Sequence, residues 1–211
     1  MNVKVQPAAG GGRWAEISPH RIAGWLDGFY ARHEGVVEVG LQLCAANGDT
    51  AELLPPPGLP AVQTIDEFLA AIKLPRRLGL LLARKGAVAV GVANGEELVA
   101  SKVERFHVQG RTAAGGWSQQ RFARRRTNQA AAGVREAAEI AERVLLPHVS
   151  TLDSLVCGGD RGTVEAILGD PALAPLLPLR HERLLDVPEP RQAVLLEALK
   201  AAKMIRIHLI P

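Results

Sequence analysis

Ile22, Trp25, Leu26, Phe29 and Tyr30 recur at the three- and four-residue spacing of one helix face. Ser18-Pro19 just before them offers a capping hydroxyl and a proline suited to a first helical turn, so the pattern predicts a helix over about residues 19–33. Val37, Val39, Leu41 and Leu43 then alternate as a half-buried strand, Asn47-Gly48 turns the chain, and residues 50–54 supply a short partner strand. In Pro55-Pro56-Pro57-Gly58-Leu59-Pro60 the prolines lack the N–H a ladder needs, so this stretch reads as a stiff connection between subdomains. Thr64-Ile65-Asp66-Glu67 is a capping box opening a helix that runs to about Lys73.

Three strand patterns separated by tight turns follow: 78–84, Lys85-Gly86, 87–93, Asn94-Gly95 and 97–107. This is the signature of an antiparallel meander. After the Gly-containing stretch 110–117, a long Ala/Arg/Glu helix runs from about Ser118 to Leu146 and stops at Pro147. Strand 152–157, the turn Gly158-Gly159-Asp160-Arg161-Gly162, helix 163–168, strand 184–187, helix 191–203 and strand 204–210 complete the chain. An antiparallel meander followed by alternating helix and strand predicts an α/β fold with a ribonuclease-H-like mixed sheet. A small N-terminal α+β subdomain over residues 1–60 precedes it, with the larger domain over 61–211. No internal repeat is visible.

Composition changes this picture little. Of 211 residues, 47% are apolar and 22% charged, which excludes a disordered or fibrous chain. Aromatics are only 4%, so the packing is aliphatic. Cys44 and Cys157 are far apart and each sits in an apolar stretch, which provides neither a disulfide framework nor a four-ligand zinc site. No apolar run approaches the roughly 20 residues that span a bilayer, and residues 1–12 form a polar, Gly-rich lead without the apolar core of a signal peptide. A cytoplasmic protein with no membrane partner is expected.

Charge is more informative. The net charge is +3, yet seven arginines and no acidic residue lie between Arg105 and Arg135, leaving the rest of the chain with more acidic than basic side chains. Arginine forks onto phosphate oxygens and stacks on bases, so RNA is the natural partner of that segment.

Candidate chemistry narrows quickly. Strands 78–84 and 87–93 carry no carboxylates, whereas a two-metal nuclease needs a cluster of them, so metal-dependent nuclease chemistry is disfavoured. The six histidines are scattered with no pair at metal-ligand spacing, and Cys157 reads as a packed small residue rather than a nucleophile. The Gly158–Gly162 turn reads as structural ahead of anion-binding. Trp25 belongs to the apolar helix face and is expected in the core. What remains is Gly115-Gly116-Trp117-Ser118-Gln119-Gln120-Arg121-Phe122-Ala123-Arg124-Arg125-Arg126. Two glycines permit φ > 0 and a narrow loop tip. A glutamine amide can orient a water, and its backbone N–H can stabilise negative charge developing on an ester oxygen.

In this context the stretch 78–157 resembles the actinobacterial branch of the VLRF family, the Vms-like release factors, which are related to the middle domain of eukaryotic and archaeal class-one peptide-chain release factors. The residues carrying the resemblance are Lys102-Val103-Glu104-Arg105-Phe106-His107, Gly110-Arg111-Thr112, Gly115-Gly116-Trp117-Ser118-Gln119-Gln120-Arg121 and Leu155-Val156-Cys157-Gly158-Gly159. The resemblance covers roughly residues 75–190. It implies a metal-independent, cofactor-free hydrolase of the peptidyl-tRNA ester, acting in the peptidyl-transferase centre of the large ribosomal subunit, with a Gly-x-x-Gln loop whose glutamine promotes attack by water. Gly116-x-x-Gln119 has that spacing, so the resemblance assigns catalysis to Gln119, with Gln120 as the alternative counterpart, and loop freedom to Gly115 and Gly116. It places Arg105 facing tRNA, and Arg111, Arg121, Arg124, Arg125 and Arg126 form the RNA clamp. Residues 1–60 contain no recognisable codon-reading domain, which points to rescue of stalled ribosomes. The competing expectation is a ribosome- or rRNA-binding factor that uses the same arginines without catalysis.

Overall fold

The computed structural model describes residues 4–8, 11–106 and 118–211, with side chains in the last stretch for Gln129 and for residues 131–211. Along the chain run β1 (Lys4–Pro7), β2 (Arg13–Ile17), α1 (Ile22–Arg32), β3 (Val37–Val39), β4 (Gln42–Cys44), β5 (Thr50–Leu54) and α2 (Ile65–Ala71). Next come β6 (Arg77–Arg84), β7 (Ala87–Asn94), β8 (Glu97–Arg105), α3 (Ser118–Leu145), β9 (Ser154–Gly159), α4 (Arg161–Leu168), β10 (Arg180–Leu185), α5 (Gln192–Lys203) and β11 (Ile205–Ile210). The result is a mixed α/β fold with two sheets, and contacts group the chain into two compact units. The first comprises Met1–Arg76 with Lys200–Pro211, and the second Arg77–Leu199.

The first unit is an antiparallel six-stranded sheet in the order β1-β2-β11-β5-β4-β3. Its apolar face, with Ile17, Leu43, Leu53 and Ile207, buries against Ile22, Leu26 and Phe29 of α1 and Phe68 of α2. Thr64 caps α2 as its sequence requires, its hydroxyl accepting from Glu67 N at 3.2 Å, while Glu67 Oε2 accepts from Gln63 N at 2.7 Å. Three local readings need revision. Ser18 makes no capping hydrogen bond; its hydroxyl lies 3.2 Å from His20 Nε2, and a 3-10 turn over Pro19–Arg21 leads into α1. The alternation from Val37 to Leu43 is two strands, because Gly40 takes φ +62° and folds β3 back on β4 with Val39 opposite Gln42. The N-terminal lead contains the strand β1, which pairs with β2 just beyond it.

The second unit holds the sheet β10-β9-β6-β7-β8. The β6–β7 and β7–β8 pairs are antiparallel, whereas β6–β9 and β9–β10 are parallel. β6 and β7 are buried on both faces, which their near-continuous apolar runs require. On one face Leu81, Val88 and Val90 pack with Ile140 and Ala141 of α3 and Ile167 of α4. On the other, Leu195 of α5 lies over Gly91, where an added Cβ would come within 2.9 Å of it. The units divide at Arg76/Arg77 rather than after residue 60, and β11 pairs with β2 and β5 in the first unit instead of extending the second sheet. The proline stretch ends inside the first unit, where buried Arg76 donates from Nη1 to Pro57 O at 2.9 Å.

Candidate functional site

The turn at Gly158-Gly159-Asp160 is explained by local geometry. Gly159 takes φ +100°, and a Cβ there would lie 2.2 Å from Ala83 O. Asp160 N donates to that same oxygen at 2.8 Å. The Asp160 carboxylate then caps α4, accepting from Thr163 N at 2.9 Å and Thr163 Oγ1 at 2.6 Å. These bonds hold its pKa below the ordinary value, helped by the charges of Lys85 and Arg84. The first free N–H groups of α4 therefore already have an internal acceptor.

Cys157, on β9, is buried, and burial pushes its thiol up to about 11, with the nearby Arg180 charge opposing and Glu165 adding to the rise. A thiol in that state is a packing residue, as its apolar strand suggests. Trp25 is half-buried and stacks on Phe29 with ring centroids 5.7 Å apart, packed against the first unit's core. His208 stacks on Trp14 at 4.5 Å, and the Arg206 guanidinium lies 4.0 Å from the Trp14 ring, so these side chains occupy one another on adjacent strands.

Arg105 ends β8 on the surface, its Nη2 3.5 Å from Glu189 Oε1, and Glu189 also meets Arg191 Nη2 at 3.2 Å. An exposed pair of that length costs little to break, so Arg105 is available to an anion. Phe106 follows at once. Its N–H donates to Gly86 O at 2.8 Å, and its ring lies against Gly133 of α3, where an added Cβ would sit 3.4 Å away. Gly115, Gly116 and Arg111 lie outside the described residues. Gln119, Gln120, Arg121, Arg124, Arg125 and Arg126 fall on the N-terminal part of α3, whose side chains there also lie outside them. The later part of α3 is anchored in the core through Ala137, Ala138, Ile140, Ala141 and Leu145, so the arginine-bearing turns extend from a helix fixed at its far end.

Sequence reasoning missed a cavity of about 360 Å³ in the second unit. Phe106, Val134, Ala137 and Ile167 contribute apolar wall, and Arg84 and Lys85 of the β6–β7 turn contribute the cations. Gln129 of α3 also lines it, and the Gln129 Oε1 atom is buried with no hydrogen-bond partner among the described residues. The one sequence signal was Gly133, a glycine inside a helix, which lets Phe106 approach. Among the described residues no three His, Cys, Asp or Glu side chains gather as a metal site, and no helix is long and apolar enough to cross a membrane.

Residues 76–208 match the sequence model of the family described as the Actinobacteria/chloroflexi VLRF1 release factor. No curated sequence matches the chain. Among solved structures, an archaeal translation termination factor, aRF1, aligns with TM-score 0.49 and 17% identity over 68% of this chain and 39% of its own. A structure titled only as an archaeal protein aligns with TM-score 0.42 and 14% identity, over 66% of this chain and 38% of that one. The chain thus spans about two fifths of the length of these structures. The family match covers well over half of the 211 residues and includes every residue of the Gly115–Arg126 segment, and the chain belongs to the Actinobacteria/chloroflexi VLRF1 release-factor family.

Proposed function

We propose that this chain is a metal-independent peptidyl-tRNA hydrolase that cleaves the peptide–tRNA ester in the peptidyl-transferase centre of the large ribosomal subunit and works in the cytoplasm to rescue stalled ribosomes. The observation that carries this reading is the release-factor family match over residues 76–208, which contains Gly116-x-x-Gln119. We assign the chemistry to the second unit. Its strand order, with the second of five strands antiparallel to the rest, supports the ribonuclease-H-like class for that unit.

In this reading Gly115 and Gly116 give the chain the freedom to enter a confined site. The Gln119 or Gln120 amide orients a water against the ester carbonyl carbon, and a backbone N–H stabilises the oxyanion that forms. Collapse of that intermediate breaks the carbonyl carbon–ribose oxygen bond, with the water's protons going to the released carboxyl and hydroxyl groups. Arg105, Arg111, Arg121 and Arg124–Arg126 bind phosphates around the reacting end, which positions the substrate without supplying chemistry.

Release of labelled peptide from peptidyl-tRNA on isolated large subunits, measured with and without a metal chelator, tests this. The expected result is release that the chelator leaves unchanged. Tight subunit binding with no release would replace this reading with that of a non-catalytic rRNA-binding factor.

A further inference from the structure

We propose that the cavity between the β6–β7 turn, α3 and α4 is a nucleobase site that takes an unstacked RNA base carrying an exocyclic amino group. The choice of RNA as occupant rests on the release-factor reading as well as on the charge around the cavity. The volume, about 360 Å³, lies at the small end of ligand pockets, where a single base rather than an extended ligand fits. Its wall is apolar and includes the flat Phe106 ring, the kind of surface on which single-stranded bases stack.

Gln129 supplies the selective contact. A buried carbonyl oxygen without a donor is destabilising, and here the unpaired Oε1 belongs to a residue that lines the cavity. Rotation about the broad terminal torsion of a glutamine turns that oxygen toward an occupant. A ligand N–H then satisfies it: adenine, cytosine and guanine offer an exocyclic amino group that projects from the base edge, whereas uracil has only its ring N3–H, set between two carbonyl oxygens that would face the Gln129 oxygen unfavourably.

The surrounding charge suits the nucleotide's phosphate. Arg84 is held in place, donating from Nε to Val187 O at 2.6 Å and from Nη2 to Asp186 Oδ1 at 3.1 Å, and Lys85 is its exposed neighbour in the turn. Asp160, the acidic residue at the same rim, already has an oxygen committed to Thr163. On α3 the backbone of Arg124–Arg126 precedes Gln129 by roughly one turn, about 5–8 Å along the axis, so the basic stretch of the chain leads directly to this cavity.

Fluorescence anisotropy of short labelled oligoadenylate, oligocytidylate and oligouridylate, with the intact chain, tests the proposal. Ala166→Leu fills the cavity from an exposed position on α4, and Gln129→Met removes the acceptor at nearly constant length. The expected result is about tenfold weaker binding of oligoadenylate and oligocytidylate by either variant, little change for oligouridylate, and a similar weakening of all three by Lys85→Ala. Gln129→Met is expected to melt no lower than the wild type, because it removes an unpaired buried oxygen, and this separates lost contact from lost fold. Unchanged oligonucleotide binding in both cavity variants overturns the proposal. So does wild-type protein that binds none of the three while binding an apolar fluorescent dye that Ala166→Leu excludes, a result that assigns the cavity to an apolar protein segment. Peptide release by the same variants is read separately: release without base binding ends this proposal and leaves the hydrolase reading intact.

Discussion

Arg180, at the start of β10, donates two hydrogen bonds to the Glu165 carboxylate on α4, from Nη1 at 2.9 Å and Nη2 at 2.6 Å. This fork ties a helix to the edge strand of the second sheet. The hydrogen bond from Arg180 is the main cause holding the Glu165 carboxyl below its ordinary value of 4.5, with the charges of Arg180 and Arg161 adding to it. A carboxyl whose pKa is lower folded than unfolded stabilises the fold above its unfolded pKa and loses that contribution as pH falls through the folded one. Urea midpoints of the wild type should therefore exceed those of Glu165→Gln above about pH 4.5, and the gap should close as pH is lowered further. A gap that is constant with pH would contradict the pairing.

Gly159 leaves no room for a side chain. Its φ of +100° disfavours any L side chain, and a Cβ would lie 2.2 Å from Ala83 O in the neighbouring strand. Gly159→Ala is expected to cost about 3 kcal/mol by chemical denaturation. Gly162, three residues on, has nothing nearer its Cβ direction than Asp160 Oδ2 at 3.7 Å, so Gly162→Ala should be close to neutral. Equal costs at the two glycines would contradict the geometry.

Cys157 should resist thiol reagents at neutral pH, since burial raises its pKa to about 11 and leaves little thiolate. Iodoacetamide followed by peptide mapping reads this directly. Labelling of Cys157 is expected only when the protein is unfolded, and rapid labelling of the native protein would show that β9 opens.

Much of the second unit was legible because its signals are long or local. The meander β6–β8 was marked by two apolar runs and the turns Lys85-Gly86 and Asn94-Gly95, and α3 by its length and by Pro147. The hairpin at Gly40 was hidden because the alternation from Val37 to Leu43 continues through a turn with φ +62°, and a period of two does not reveal a reversal of direction. β11 was legible as a strand but not as a member of the first sheet, since alternation states that a strand exists and not which strand it joins. β1 lacked a clear apolar period. The cavity was illegible because Lys85, Phe106, Gln129 and Ile167 come from four separate elements or turns, and only the Gly133–Phe106 approach links two of them.

On the proposed mechanism an amide at Gln119 or Gln120 promotes hydrolysis of the peptide–tRNA ester. Peptide release from large ribosomal subunits should therefore be compared for the wild type, Gln119→Ala and Gln120→Ala, with subunit binding measured alongside. One of the two substitutions is expected to lower release on the order of 100-fold while binding stays within about twofold, and that variant identifies the acting glutamine. Release at the wild-type rate from both variants would show that neither glutamine takes part in the hydrolysis.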